Sequence, residues 1–260
     1  MGLFFKPLNP PLADWQGKTV WLIGASSGIG EAAAAALHAA GARVVVSARR
    51  AHALAGFVQA HPGSLAIPVD VSDGAGVQAA AQQVLALGPL DCMVYCSGIY
   101  TPTRAFALDA TDAIRHMDVN YNGALRVLAA VLPAMLAQGR GHISLVSSVA
   151  GYRGLTNGLV YGPTKAALTH LAEGLYLDLH GKGLGVSVIS PGFVETPATA
   201  VNDFAMPALI SAAQAAQHML SGWAEGDFEI QFPKRFTRWM QLLRVLPDRW
   251  YFALVRKFTQ

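Results

Sequence analysis

The chain has 260 residues, of which 53% are hydrophobic and 13% are charged. This composition favours one α/β domain with a large buried core and excludes a mainly disordered chain. The apolar N-terminal stretch is short and broken by Lys6 and Pro7, and no apolar run reaches the roughly 20 residues that span a bilayer, so neither a signal peptide nor a membrane-spanning helix is predicted. Cys92 and Cys96 stand four residues apart on one predicted extended strand, out of reach of a disulfide, so a reduced, cytoplasmic protein is expected.

Apolar segments alternate with Ala- and Leu-rich segments of helical period along the chain. The predicted strands are residues 19–24, 43–48, 65–71, 90–98, 142–148, 186–192 and 228–233. Continuous apolar strands separated by helices indicate βαβ units. The predicted fold class is therefore α/β, a doubly wound (Rossmann-type) parallel β-sheet of about seven strands with helices on both faces. Residues 1–233 are assigned to this domain, and residues 234–260 to a helical C-terminal extension of it.

Glycines follow the first predicted strand in the stretch GASSGIG, and a helical pattern begins directly after it. Glycine lets the backbone turn tightly and approach a pyrophosphate, whose charge then meets the helix N-terminus. The stretch predicts a nucleotide site formed by Gly24, Ser26, Ser27, Gly28, Ile29 and Gly30. The alternative is a Gly-rich turn without a ligand, because such turns often join a strand to a helix.

The next two strand ends bear on which nucleotide is bound. The second strand ends in SARR, where Arg49 and Arg50 stand in place of the acid that holds the ribose 2′-hydroxyl of NAD. Because a guanidinium suits a 2′-phosphate, NADP(H) is the preferred cofactor and NAD(H) the alternative. The interpretation without a ligand is an ordinary solvated arginine pair. Asp70 ends the third strand and could accept a hydrogen bond from an adenine amino group, since Ser72 or Asp73 is better placed to cap the following helix.

The stretch YGPTK opens a long helical pattern. Pro163 is tolerated only in the first turn of a helix, so Tyr161 and Lys165 are expected one turn apart on one face of that turn. A nearby cation favours the phenolate and lowers the pKa of a tyrosine. The pair thus predicts a tyrosine tuned as a proton donor and acceptor, whereas a lone Tyr-x-x-x-Lys is more often a surface pair.

Several motifs together give the chain a specific resemblance. The glycine turn, VDVSD, DVNYNG, SLVSSVAG, YGPTK and SPGFVETP occur in the order found in the short-chain dehydrogenase/reductase family. The chain resembles the classical members of that family over roughly residues 17 to 198. Successive spacings of 28, 13 and 4 residues separate Asn120, Ser148, Tyr161 and Lys165, which match the family's catalytic tetrad.

The resemblance implies a role for each of these residues. Tyr161 would exchange a proton with the substrate, Lys165 would tune it and bind the nicotinamide ribose, Ser148 would bind the substrate oxygen, and Asn120 would hold a water that continues the proton relay. Further cofactor contacts are implied at Val71, Cys96, Gly98, Asn120, Tyr161, Pro191, Gly192, Val194 and Thr196. The chain departs from the family pattern at Ile23, at the stretch YCSG (residues 95–98) and at Thr164.

These features predict an NADP(H)-dependent oxidoreductase that interconverts a carbonyl and a secondary alcohol. The alternatives are an NAD-linked alcohol dehydrogenase working oxidatively and a non-catalytic dinucleotide-binding sensor. The lid expected after residue 197 carries one acid, Asp203, no basic residue and several apolar side chains, which favours an apolar or lipid-like substrate. The resemblance also implies a homodimer or homotetramer; no metal site and no nucleic-acid partner is predicted.

The C-terminal extension is the basic part of the chain. Residues 234–260 hold seven basic residues and one acid, a net charge of +6, whereas the rest of the chain is −3. Pro247 separates two amphipathic patterns. Their apolar stripes are Phe236, Trp239, Met240 and Leu243, and then Tyr251, Leu254, Val255 and Phe258. The basic faces comprise Arg235, Arg238 and Arg244 with Gln241, and then Arg249, Arg256 and Lys257. Such helices are typical of peripheral contact with an anionic membrane at its inner face, or of packing on the protein's own core.

Overall fold

A computed structural model describes residues 6–259, so residues 1–5 and 260 of the predicted domain ranges lie outside it. Seven parallel strands form one sheet in the order β3-β2-β1-β4-β5-β6-β7. They are β1 (Thr19–Ile23), β2 (Arg43–Ser47), β3 (Leu65–Ala66), β4 (Cys92–Tyr95), β5 (Gly141–Val146), β6 (Leu184–Pro191) and β7 (Glu229–Phe232). The strand order reverses between β1 and β4, which opens a crevice at their carboxyl ends.

Helices connect the strands and cover both faces of the sheet. They are α1 (Gly28–Ala39), α2 (Ala51–Ala60), α3 (Gly74–Leu85), α4 (Ala110–Met117), α5 (Gly123–Gln138), α6 (Tyr161–Leu179), α7 (Ala212–Glu225), α8 (Lys234–Arg244) and α9 (Asp248–Thr259). The alternation of β1 explains the two layers: Trp21 and Ile23 pack with α3, α5 and α6, whereas Val20 and Leu22 pack with α1, α2 and α7. The predicted doubly wound fold is confirmed.

The third strand is shorter than predicted. The sequence predicted a strand over residues 65–71, but the ladder with β2 covers Leu65 and Ala66 alone. The chain stays beside β2, since the amides of Ile67 and Val69 still bond to carbonyls of the neighbouring segment. Pro68 lies between these two residues, and because it has no N–H and a fixed φ it cannot continue a regular ladder.

One helical stretch within residues 6–259, Ala110–Gln138, is long and apolar enough by composition to cross a membrane. It comprises α4, a π-helical turn at Asp118–Asn122 and α5. Val127, Val131 and Met135 on α5 are fully buried against the sheet. A core helix of this kind passes the same test of length and hydropathy, so the stretch gives weak support for a span.

Candidate active site

A cleft of about 380 Å³ lies at the carboxyl ends of the strands. Its walls include the loop after β1, the ends of β4 to β6 and the first turn of α6. Every residue expected from the sequence to bind the cofactor lines this cleft except Asn120. The tetrad members Ser148, Tyr161 and Lys165 also line it. The fold therefore brings together groups that lie far apart in the chain.

The glycine loop shapes the nucleotide end of the cleft. Gly28 has φ +61°, and a Cβ there would lie 2.9 Å from the Thr196 methyl group across the cleft. A Cβ on Gly30 would lie 2.2 Å from the Gly24 carbonyl oxygen, so the loop and α1 pack too closely for any larger residue. The open backbone meets the N-terminus of α1, where unpaired N–H groups attract an anion. These residues fit the pyrophosphate of a dinucleotide.

The two arginines after β2 occupy different positions. Arg50 donates from Nη2 to the Ser26 carbonyl oxygen at 3.2 Å and to the Ser26 and Ser27 hydroxyls at 3.0 and 3.1 Å. Its guanidinium is therefore tied across the glycine loop. Arg49 is exposed and lines the same end of the cleft. Two arginine side chains therefore flank this end of the cleft.

Asp70 lies at the edge of the cleft in a local turn. It accepts hydrogen bonds from the Ser72 backbone at 2.9 Å and the Ser72 hydroxyl at 2.6 Å. Partial burial raises the pKa of this carboxyl, but the bonds from Ser72 and the charge of Arg49 outweigh it and hold the pKa below its usual value. The predicted cap of α3 is Asp73, whose side chain accepts from the Ala75 amide. Asp70 is thus an ionised acceptor that does not cap the helix.

The first turn of α6 carries the tyrosine and the lysine as predicted. Tyr161 is the first residue of α6, and the Lys165 ammonium lies 5.4 Å from the centre of its ring. Lys165 donates to the Val146 carbonyl oxygen at 2.8 Å. Ser148 hydrogen-bonds the Tyr161 side chain and accepts from the Ala150 amide at 3.1 Å. Three polar groups therefore converge at one end of the cleft.

Burial, and not the lysine, sets the pKa of Tyr161. The sequence predicted that Lys165 lowers this pKa, but burial raises it well above the ordinary value, and the hydrogen bond with Ser148 offsets only part of the rise. Burial also lowers the pKa of Lys165 to about 8. Both shifts have the same cause, because a site shielded from water disfavours either charged form. In the protein alone, Tyr161 is a protonated phenol and hence a proton donor near neutral pH.

Asn120 stands behind the cleft wall. Its Nδ2 donates to the Ile99 carbonyl oxygen and to the Thr164 hydroxyl, both at 3.0 Å, and its Oδ1 accepts from the Ile99 amide at 2.8 Å. It lies in the π-helical turn between α4 and α5 and is fully buried. The side chain therefore braces the segment after β4, and its part in a proton relay stays a prediction.

Comparison with known proteins decides the family. Residues 18–205 match the sequence pattern described as short chain dehydrogenase, close to the range over which the resemblance was seen. The chain belongs to the short-chain dehydrogenase/reductase family. It is accordingly an enzyme of the oxidoreductase class, and proteins of this family bind NAD or NADP and act on small molecules.

Individual relatives agree with this assignment. The chain is 36% identical over 253 residues to a Myxococcus xanthus protein described as an uncharacterized oxidoreductase, covering 95% of this chain and 99% of that one. A Burkholderia phymatum short-chain dehydrogenase/reductase in complex with NAD has 26% identity and a TM-score of 0.81, covering 89% of this chain and 94% of that chain. A Streptomyces avermitilis short-chain dehydrogenase with 24% identity and a TM-score of 0.80, covering 94% and 98%, shares the fold.

Where the chain departs from the family pattern, the substitutes still hold the site. Tyr95 donates to the Val119 carbonyl oxygen at 2.5 Å, so it fixes the π-helical turn that carries Asn120. Gly123 makes room for this phenol, since a Cβ there would lie 2.2 Å from its oxygen. Thr164 donates to the Tyr161 carbonyl oxygen at 2.8 Å and accepts from Asn120. No motif in the sequence marks Tyr95 for this contact.

Aromatic side chains form the part of the site that faces the predicted lid. The Tyr100 ring packs edge-on against Tyr161 with centroids 5.0 Å apart, and its hydroxyl donates to Asn202 at 3.1 Å. Phe193 contacts Phe204 of the lid, with ring centroids 5.8 Å apart. These contacts fix the lid over an aromatic surface beside the tyrosine. Tyr100 was not identified from the sequence, because no motif marks it.

The C-terminal extension packs onto the segment that follows Ser148. The Arg153 guanidinium donates to the Leu246 carbonyl oxygen at 2.6 Å, forms an ion pair with Asp248 and lies 4.0 Å over the Tyr251 ring. Tyr251 in turn donates to the Gly154 carbonyl oxygen at 2.6 Å. Arg153 comes five residues after Ser148 in the sequence. The extension thereby anchors the segment that carries the predicted substrate-binding serine.

The predicted division of α8 into faces is partly wrong. Trp239 was placed in the apolar stripe but is exposed, whereas Gln241 was placed on the basic face but turns inward and donates to Glu229 at 2.9 Å. The inward position of Gln241 follows from the half-buried acceptor at Glu229, which a helical wheel cannot show. In α9, Tyr251 is buried and Leu254 and Val255 are half-buried, as the stripe predicts; the Phe258 side chain lies outside the described residues.

Proposed function

We propose that this protein is an NADP(H)-dependent reductase that converts an apolar ketone into a secondary alcohol. The observation that carries the proposal is the protonated, buried phenol of Tyr161 beside Ser148 and Lys165, at the end of a cleft whose other end is a glycine loop. A group that must deliver a proton to a forming alkoxide needs to hold that proton at working pH. Because Tyr161 holds its proton near neutral pH, it can serve as the proton donor in ketone reduction.

The residues divide the chemistry among them. Bound NADPH supplies the hydride that reduces the carbonyl carbon. Ser148 hydrogen-bonds the carbonyl oxygen and orients it toward Tyr161, which delivers the proton that completes the alcohol. Lys165 then favours the phenolate that is left behind, because an ammonium one helical turn away lowers the energy of an anion. Asn120 and Tyr95 hold the adjoining wall in place.

The cofactor preference rests on Arg49 and Arg50. Their charge next to the glycine loop supports binding of a 2′-phosphate, and no acid follows β2 to hold a free ribose hydroxyl. NAD is the second candidate, since the similar Burkholderia phymatum enzyme is in complex with NAD. Fluorescence titration of both cofactors decides between them. We expect tighter binding of NADPH and a loss of about tenfold in that preference on Arg49→Ala; tighter binding of NADH rejects the assignment.

A panel of ketones tests the reaction itself. NADPH oxidation measured against apolar, polar and phosphorylated ketones should give turnover with the apolar ones, because the lid presents Phe204 and Leu209 and one acid, Asp203. Tight cofactor binding without turnover on any ketone would indicate the non-catalytic sensor. Turnover confined to secondary alcohols with NAD would indicate an oxidative alcohol dehydrogenase.

The assembly and place of action complete the proposal. A homodimer or homotetramer is expected, as in many proteins of this family, and light scattering measures it. We further propose that residues 1–233 act as the catalytic domain, with residues 234–260 as its extension, in a cytoplasmic protein. Metal is not expected to take part; activity that survives exhaustive chelation supports this.

A further inference from the structure

The inward faces of α8 and α9 are already occupied by the protein. Phe236 contacts Phe193, with ring centroids 5.5 Å apart, and Thr237 and Tyr251 are buried. Arg153 and Glu229 hold the two helices from the opposite side through hydrogen bonds. Except for Trp239, the described residues of the predicted apolar stripes are therefore buried or half-buried against the protein. What faces solvent is a different set of side chains.

The outward faces of these helices expose large apolar side chains. Trp239 and Trp250 are each 67% exposed and Val245 is 74% exposed, while Leu242 and Phe252 are also exposed. Trp239, Leu242 and Val245 follow one another at helical spacing, so they share one face of α8 and its end. Tryptophans of this kind prefer the boundary between apolar and aqueous layers.

Positive charge surrounds these apolar residues. The exposed cations on α8 and α9 are Lys234, Arg235, Arg238, Arg244, Arg249, Arg256 and Lys257. Within residues 6–259, none of them forms an ion pair, and the acid of the segment, Asp248, is paired with Arg153. The surface combines uncompensated cations with exposed tryptophans. That combination matches the headgroup region of an anionic bilayer, with phosphates outside and acyl chains beneath.

We infer that the outward faces of α8 and α9 form a docking surface for an anionic membrane, with the C-terminal extension remaining folded against the protein. A second copy of the chain fits this surface less well, because a twofold interface would set the same basic patch against itself. A nucleic acid would use the cations but leave the exposed tryptophan, leucine and valine side chains unexplained. The inference rests on the proposed function in one respect, that an apolar ketone dissolves in the bilayer.

An indirect link between α8 and the lid, through Phe193, gives the docking a use. Phe236 of α8 touches Phe193, and Phe193 touches Phe204 of the lid, so a short aromatic chain joins the docking helices to the substrate side of the cleft. A protein held through α8 and α9 would have its lid close to the membrane-bound segment. Substrates that partition into lipid would then meet the lid at a raised local concentration.

Co-sedimentation of the full chain with vesicles tests the inference. Vesicles of phosphatidylserine with phosphatidylcholine are compared with pure phosphatidylcholine, at low and high salt. We expect binding to the anionic vesicles that salt weakens. Arg235→Glu with Arg238→Glu should weaken it by at least tenfold, since each cation near such a surface contributes about 1 kcal/mol, or roughly fivefold. Trp239→Ser with Trp250→Ser should weaken it several-fold at either salt concentration.

Matched controls separate this surface from general charge and apolarity. Lys182→Glu reverses an exposed charge elsewhere, and Phe106→Ser removes an aromatic side chain that is 84% exposed on another surface. Both should bind vesicles like the parent chain. Turnover of a water-soluble ketone by the α8 and α9 variants should equal that of the parent, which tests the docking separately from the reductase activity.

Three results overturn the inference. The first is failure of the parent chain to bind anionic vesicles at low salt. The second is equal loss of binding in the controls. The third is absence of vesicle binding together with a different partner on this surface. That partner would be a second copy of the chain, if the Trp239 and Trp250 variants abolish a dimer, or duplex DNA, if the Arg235 and Arg238 variants abolish a DNA complex. If the parent chain does not turn over any soluble ketone, that result counts against the proposed reaction and does not affect the vesicle result.

Discussion

The glycine loop and the C-terminal extension serve the same cleft by different physical means. The loop acts through backbone geometry, since a Cβ on Gly30 would come within 2.2 Å of the Gly24 carbonyl oxygen. The extension acts through side chains that reach across the fold, as when Tyr251 donates to the carbonyl of Gly154, 97 residues earlier. Short-range backbone constraints leave a motif in the sequence, whereas long-range side-chain contacts do not.

The largest expected effect on activity belongs to Tyr161, which the YGPTK motif identifies. Tyr161→Phe removes the proposed proton donor while keeping the buried ring, so kcat for ketone reduction should fall by about three powers of ten. Cofactor affinity and the midpoint of thermal unfolding should stay close to those of the parent. Steady-state kinetics with cofactor titration measure both. Near-parental turnover in this variant contradicts the proposed mechanism.

The second-largest effect is expected from backbone packing in the glycine loop. Gly30→Ala forces a methyl group against the Gly24 carbonyl oxygen, so the free energy of unfolding should fall by about 1–3 kcal/mol and cofactor affinity should fall with it. Gly56→Ala in α2 is the matched control, because nothing lies within 4 Å of its Cβ position, and it should stabilise by about 0.5–1 kcal/mol. Urea unfolding of both variants checks the contrast; equal effects would show that the loop is not closely packed.

Burial of the lysine should appear in the pH dependence of stability. Its pKa is about 8 in the folded protein against an ordinary 10.5, so between these values the unfolded chain holds a proton that the folded chain has released. The contribution of Lys165 to the free energy of unfolding should therefore rise with pH across that window, by roughly 2–3 kcal/mol in all. The difference in unfolding free energy between the parent and Lys165→Met, measured from about pH 8 to about pH 10, tests this sign.

A parallel series on Lys182→Met supplies the comparison. That lysine is exposed in the turn after α6, so it lacks the buried surroundings of Lys165 and serves as the control. A parent-minus-variant difference for Lys165→Met that is flat, or that falls as the pH rises, would show that the ammonium is not held in a shielded site.

The smallest effect belongs to the extension. Tyr251→Phe removes one hydrogen bond to Gly154 and should cost about 1 kcal/mol of stability. If the extension positions the segment after Ser148, the variant should also lose a few-fold in kcat with little change in cofactor affinity. Tyr176→Phe removes a comparable bond, from Tyr176 to the Leu8 carbonyl oxygen at 3.0 Å, away from the cleft. It should lose similar stability and no activity; matching losses of kcat in both variants would remove the positioning role.

The residues recoverable from sequence share a feature. Tyr161 and Lys165 lie within one helical turn, and Gly24 to Gly30 lie within the single turn from β1 into α1, so local geometry alone relates these residues. The same locality let the alternation of apolar strands and helical segments predict the sheet. The strand prediction failed at residues 67–71, where Pro68 ends the regular ladder although the apolar pattern continues.

Tertiary structure decided what depends on neighbours that are distant in the chain. The sequence by itself determined the existence and order of the strands, the glycine turn and the order of the catalytic motifs, because each rests on local backbone geometry and residue spacing. It could not determine that burial would outweigh Lys165 in setting the pKa of Tyr161, since desolvation is the sum of all surrounding atoms. Nor could it show that Trp239 faces solvent while Gln241 turns inward, because a helix alone does not specify which side meets Glu229.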